Sequence, residues 1–298
     1  MKKGAALLAV VILAGWWLTR PQTISELPAY EPSAEAGERV FWAGGCASCH
    51  ATPVDGRRAK GDDKLLLGGG LELETPYGVF RVPNISSDSE HGIGDWTMLE
   101  FVNAMQHGVS PQGRHYYPSF PYTSYAKMRV GDVMDLKAYL DTLAAVDGRV
   151  DDHDLAFPWS LRRGIGLWKR RYLNSEPVVG LDASDPVLAR GRELVEGAGH
   201  CGECHTSRDS FGGLMTSRWL AGAPNPEGRG RIPNITRAGK NIVDWTDKDI
   251  VYYLESGFTP DFDTVGGSMV AVQENMAMLP AEDRIAIAAY LESIPAIE

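Results

Sequence analysis

Apolar residues recur along this chain at helical spacing, in short stretches separated by long polar ones. Residues 4–18 form an apolar run without charge, preceded by Lys2 and Lys3 and ending in Trp16-Trp17-Leu18 before Thr19-Arg20-Pro21. Gly37, Val40 and Phe41 then read as one face of a short helix. Met98, Phe101, Val102 and Met105 share the stripe of a second, which opens at the capping box Thr97-x-x-Glu100 and closes at Gly108. Leu136, Leu140 and Leu143 mark a third. Strand-like alternation is confined to Leu71-Glu72-Leu73-Glu74 and Val79-Phe80-Arg81-Val82. The pattern predicts a mostly α fold with long loops.

The same three helices are written a second time. Pro83-Asn84-Ile85-Ser86 returns as Pro233-Asn234-Ile235-Thr236, Asp95-Trp96-Thr97 as Asp244-Trp245-Thr246, and Gly108-Val109-Ser110-Pro111 as Gly257-Phe258-Thr259-Pro260, at an offset of 149–150 residues. Gly191, Leu194 and Val195 answer the first helix. Thr246 and Asp249 open a counterpart of the second through Ile250, Val251 and Leu254, and Ile287, Leu291 and Ile294 repeat the third stripe. Ala289-Tyr290-Leu291 matches Ala138-Tyr139-Leu140 within it.

The chemistry lies just after the first helix of each half. Cys46-Ala47-Ser48-Cys49-His50 and Cys201-Gly202-Glu203-Cys204-His205 use all 4 cysteines. Two thiols at this spacing add to the two vinyl groups of one haem, and the adjacent histidine becomes its proximal iron ligand. A zinc half-site or a redox dithiol is the competing reading of a Cys-x-x-Cys string. Zinc would need both pairs on one ion, yet each pair brings its own histidine and the pairs lie 155 residues apart. The chain is therefore expected to hold two covalently bound haem c groups, with no thiol left for a disulfide or a cysteine ligand. The flat haem face is then a natural partner for the closing stripes.

At 298 residues the chain has room for two small domains. Its net charge of -10 argues against nucleic acid as a partner and suits either solubility or the steering of a basic protein. The apolar run of residues 4–18 has the length of a signal-peptide core and falls short of the roughly 20 residues of a comfortable spanning helix. Its flanks point the other way: there is no small-x-small cleavage site, and the tryptophan pair suits an outer interface. We expect an N-terminal transmembrane anchor, with a removed signal as the alternative. Either way the lysines stay inside and the body is exported, which places the protein at a bacterial inner membrane with its haem domains in the periplasm.

Residues 147–182 have no counterpart in the repeat. Within them, 157–172 holds Arg162, Arg163, Lys169, Arg170 and Arg171 among Trp159, Leu161, Ile165 and Trp168, with no acidic residue. The segment reads as a connector packed over both halves, its arginines pairing with surface carboxylates or haem propionates; a docking surface is the alternative.

These motifs, above all Gly197-Ala198-Gly199-His200-Cys201-Gly202-Glu203-Cys204-His205-Thr206 and the two Pro-Asn-Ile segments, resemble the membrane-anchored dihaem cytochromes c that serve as cytochrome subunits of bacterial alcohol, aldehyde and sugar-acid dehydrogenases. The similarity runs from Gly37 to Pro295. It implies two tandem cytochrome c domains, over residues 30–146 and 184–298, with an anchor and tether over 1–29 and the connector over 147–183. By the same resemblance Pro83 and Pro233 would hold the proximal imidazoles of His50 and His205 by a carbonyl. Trp96 and Trp245 would lie near the haem edges, with core packing an equal account of them.

The sixth ligand differs between the halves. Met269, in Gly266-Gly267-Ser268-Met269, matches the family's ligand methionine for the second haem. The corresponding position of the first half is Phe120, in Tyr117-Pro118-Ser119-Phe120-Pro121-Tyr122, and phenylalanine cannot bind iron. Met128 is our choice for the first haem; His107, His115 or an open position are the alternatives. The resemblance implies an electron-transfer relay that takes electrons from a dehydrogenase and passes them to a cytochrome or oxidase. The competing reading is a dihaem redox enzyme, peroxidase-like, with an open first haem.

Overall fold

The chain is described by a computed structural model that covers every residue except Met1, Ala183, Pro226, Glu227 and Arg229. The boundary expected at 183 falls on one of these and lies outside the described residues. Helix α1 (Lys2–Leu18) is followed by α2 (Ala34–Ala43), α3 (Cys46–His50), α4 (Met98–His107), α5 (Tyr122–Tyr125) and α6 (Val130–Leu140) in the first half. Helix α7 (Ile165–Tyr172) lies in the connector. The second half runs through α8 (Pro186–Arg192), continued by a π-helical turn Glu193–Ala198, then α9 (Gly202–His205), α10 (Asp247–Ser256), α11 (Met269–Met276) and α12 (Ala281–Ser293).

Helices α4 and α10 begin as their sequences predict. The Thr97 hydroxyl accepts from the Glu100 amide while the Glu100 carboxylate accepts from Thr97, and Thr246 and Asp249 do the same. Gly108 and Gly257 end them with positive φ, +58° and +78°, where a side chain would be strained.

In each half the opening and closing helices cross at a glycine. A Cβ on Gly37 would collide with the Asp135 carbonyl of α6, and one on Gly191 with the Ala286 carbonyl of α12. Part of each closing stripe therefore faces the opening helix: Phe41 and Leu140 are buried together on one crossing, Val195 and Tyr290 on the other. A single hydrophobic cluster runs through both halves.

The two alternating segments form an antiparallel hairpin, β1 (Glu72–Thr75) and β2 (Gly78–Arg81), in the register Leu73↔Phe80. Its third strand, β3 (Asp154–Leu155), comes from the connector. In the second half β4 (Ala223–Pro224) and β5 (Arg231–Ile232) make a shorter pair.

The N-terminal expectation is corrected. Helix α1 has 17 residues, which at 1.5 Å per residue is about 25 Å, short of the roughly 30 Å hydrocarbon core. Among the described residues no helix is long and apolar enough to cross a membrane, so the transmembrane anchor is not supported. The inner-membrane contact was expected through that anchor and has no support from this helix.

The connector packs on both halves, and its basic residues act only in part as expected: Arg171 pairs with the Asp209 carboxylate at 3.9 Å, while others bind backbone carbonyls. Arg163 donates to the carbonyl of Trp16 at 2.7 Å, Arg170 to that of Leu18 at 2.6 Å, and His115 binds the Thr19 carbonyl at 2.9 Å. They satisfy carbonyls that α1 leaves without helical partners at its end. Lys169, buried at 7 % exposure, donates to the carbonyls of His107 and Gly108 at the end of α4 and lies over the Tyr122 ring. On the other side Trp168 donates to Phe211, and Tyr172 to Asp209.

Candidate haem sites

Both Cys-x-x-Cys-His strings fold as single helical turns, and in both the histidine is held from behind. His50 Nδ1 lies 2.9 Å from the Pro83 carbonyl, and His205 Nδ1 lies 2.8 Å from the Pro233 carbonyl. A carbonyl only accepts, so each Nδ1 carries the proton and each Nε2 keeps its lone pair. Burial lowers the pKa of both imidazoles against a smaller opposing effect of the proline carbonyls. The rings are therefore neutral at neutral pH, the state an iron ligand needs.

The two prolines are themselves fixed by residues whose role was hidden in the sequence. Gly69 donates to the His50 carbonyl while Ile85 donates to the carbonyl of Leu67; Gly222 and Ile235 repeat this with His205 and Leu220. A short Leu-x-Gly strand is thus threaded between histidine and proline in each half. Gly69 has φ +71° and Gly222 +84°, and a Cβ on Gly69 would sit 2.5 Å from the Pro83 carbonyl carbon. Leu67 and Leu220 are both fully buried. The pair Leu67-x-Gly69 and Leu220-x-Gly222, at similar distance after each histidine, was the available signal.

The asparagine of each Pro-Asn-Ile string ties this loop to the end of its domain. Asn84 accepts from the Ser86 amide and donates to the Val146 carbonyl at 2.7 Å; Asn234 accepts from Thr236 and donates to Ile297 at 2.7 Å. Trp96 and Trp245 are half-buried against the core.

Cys46 and Cys201, the first thiols of their pairs, pack against the core, and burial pushes both up to about 12. Cys204 is exposed and Cys49 half-buried. The donor set of each half, two thiols beside a neutral imidazole with a free Nε2 lone pair, fits a covalently attached haem. Among the described residues no group of His, Cys, Asp and Glu could hold a bare metal ion.

On the opposite side, Met269 begins α11 and packs at the edge of the core. Phe120 packs edge-on against Tyr116, Tyr122 and Tyr125. Met128 is 5 % exposed and its Cγ lies 3.0 Å from where a Cβ of Gly197 would be, so it packs against the other half. Counted back from the closing helices, its position corresponds to Leu279, which is also buried. His107 ends α4. His115 is committed to Thr19 through Nε2, and its Nδ1 is buried without a partner.

The segments that enter the two attachment turns abut. Ser48, third residue of the first string, accepts from Asn275 of α11 at 2.7 Å. Glu203, third residue of the second, accepts from Thr123 and Ser124 of α5 at 3.1 and 3.0 Å. A Cβ on Gly44 would touch the Ala198 carbonyl, and one on Gly199 would touch that of Ala43. The halves therefore meet about a pseudo-twofold axis, the first attachment turn against α11 and the second against α5.

A family model described as "Cytochrome c" matches residues 34–144. A protein of Cereibacter sphaeroides described as "Diheme cytochrome c-type" is 54% identical over 297 residues, covering 99% of this chain and 98% of the relative. The fructose dehydrogenase cytochrome subunit of Gluconobacter japonicus is 35% identical over 98% of this chain and 59% of its own length. The cytochrome c subunit of the quinone alcohol dehydrogenase of Gluconobacter oxydans is 32% identical over 90% of this chain and 56% of its own. The chain thus spans somewhat over half the length of these two dehydrogenase subunits.

Proposed function

The chain belongs to the dihaem c-type cytochromes, carries two covalently bound haem c groups and relays electrons, and from that premise we propose which residues hold the haems and which proteins stand at either end. Cys46 and Cys49 attach the first and Cys201 and Cys204 the second. His50 and His205 present Nε2 as proximal ligands, oriented and made more basic by the Pro83 and Pro233 carbonyls. Met269 supplies the sixth ligand of the second haem and Met128 that of the first, with Trp96 and Trp245 beside the haem edges.

Bound there, each haem supplies an iron that takes up and gives back one electron. The protein's part is to hold the ligands rigidly and keep water out, so that little rearranges when the charge changes. The observation that carries this reading is the abutment of the segments that enter the two attachment turns, which supports two redox sites within one packed unit.

As donor we propose a dehydrogenase, because the relatives include cytochrome subunits of fructose and quinone alcohol dehydrogenases. As acceptor we propose a downstream cytochrome or oxidase, and as the place of work the periplasm, where covalent haem attachment occurs in bacteria. The test is stopped-flow mixing of the fully reduced protein with an oxidised acceptor cytochrome. Loss of two electrons per chain supports a relay; rapid turnover of hydrogen peroxide without electron delivery to the cytochrome overturns it.

A further inference from the structure

His200 precedes Cys201 directly and stands where the first half has Gly45. In the first half a glycine is natural there, since Gly45 has φ +59°. His200 adopts the same left-handed region with φ +38°, a conformation that a bulky residue rarely takes. Backbone strain of this kind persists where the surroundings demand the side chain, and it concentrates at functional sites.

The imidazole crosses the pseudo-twofold seam. Nε2 lies 3.2 Å from the carbonyl oxygen of Gly44, two residues before Cys46, and must be the donor. The ring packs edge-on against Tyr125, with centroids 5.8 Å apart. Gly45, at the mirrored place, has no side chain to return the contact, so the pseudo-symmetry is broken here. One hydrogen bond then joins the chain entering the first thioether pair, Gly44-Gly45-Cys46, to the chain entering the second, His200-Cys201.

We propose that His200 is a positioning residue for transfer between the haems, bridging the two attachment segments and fixing their separation. This rests on the relay reading. In the step it serves, the haems that Cys46, Cys49 and His50 and Cys201, Cys204 and His205 would hold would exchange one electron, one being oxidised as the other is reduced. No atom or proton changes place, so the side chain acts only through the link it makes. The bond gives the electron a short covalent and hydrogen-bonded route, and it keeps the two turns from sliding along the seam.

The test uses the haem-loaded full chain and two variants. His200→Gly removes the bridge and relieves the strained φ, so the protein folds and loads as well as wild type. His200→Gln keeps a side-chain N–H donor. Each is half-reduced by a photoexcited ruthenium complex, and equilibration between the haems is followed by absorbance, with the two midpoint potentials titrated separately. We expect His200→Gly to retain both haems, their spectra and its melting temperature, yet to equilibrate several-fold more slowly, and His200→Gln to recover most of the rate. Wild-type equilibration in His200→Gly, with both potentials unchanged, overturns the bridge alone. If wild type itself shows no equilibration, the relay reading falls and this inference with it.

Discussion

Asn275, in the helix that begins at Met269, donates its side-chain amide at 2.7 Å to the hydroxyl of Ser48, inside the other half's haem-attachment turn. Asn275 is 1 % exposed, and its Oδ1 has no partner. One polar side chain thus couples α11 of the second half to the attachment turn of the first. Removing a net hydrogen bond of this kind costs about 1 kcal/mol. Asn275→Ala should lower the melting temperature of the haem-loaded protein by a few degrees while both haems stay attached. An unchanged melting curve shows that this bond adds nothing to the stability of the seam.

The haem-attachment strings, the repeat and the helix caps were all legible in the sequence because each depends on residues close together in the chain. The seam was not. Ser48 and Asn275, or Glu203 and Ser124, show no shared periodicity, and their bonds exist only where the two halves meet. The run of residues 4–18 shows why length was the stronger cue: composition and flanking tryptophans resembled an anchor, but the helix measures 17 residues. The connector's arginines were expected on carboxylates; Arg171 meets that expectation at Asp209, but Arg163 and Arg170 found the carbonyls that end α1, acceptors no sequence pattern displays. Strand β3 was missed because two residues, Asp154 and Leu155, give no alternation to see.

Gly69 and Gly222 should tolerate no side chain. Both have positive φ, and a Cβ on either would meet the proline segment behind the proximal histidine. Gly69→Ala should destabilise the protein by more than about 1 kcal/mol and shift the midpoint potential of one haem, leaving the other where it was. Gly222→Ala should do the converse. A redox titration with two unshifted potentials in both variants would show that the loop yields without moving the ligand.

Acid should loosen the sheet that joins the connector to the first half. His153 Nδ1 accepts from the Arg81 amide at 3.1 Å, and burial, helped by Arg162, lowers its pKa. Protonation removes that acceptor. The unfolded chain takes up this proton near pH 6.5 and the folded chain only below that, so stability falls as pH drops from about 6.5 through the folded pKa. His153→Asn, which keeps an acceptor that does not titrate, should show a flatter stability profile between neutral and mildly acid pH by denaturant titration. An identical slope in the two proteins assigns the acid sensitivity elsewhere.

The sixth ligand of the first haem is decided by a substitution that separates ligation from packing. Met128 packs against Gly197 across the seam, in the place that Leu279 takes in the second half. Alanine there would open a cavity as well as remove the thioether. Leucine preserves the volume, at a cost under about 1.5 kcal/mol, and cannot bind iron. Met128→Leu should therefore leave the fold intact, lower the potential of one haem and let carbon monoxide bind it on reduction. Met269→Leu should do this to the other haem, and the double variant should bind two carbon monoxide molecules. Phe120→Met, which restores a thioether at the position aligned with Met269, should close the iron again in the Met128→Leu background. If Met128→Leu leaves both spectra and both potentials unchanged, the thioether is a packing residue and the iron of the first half takes its sixth ligand from another group.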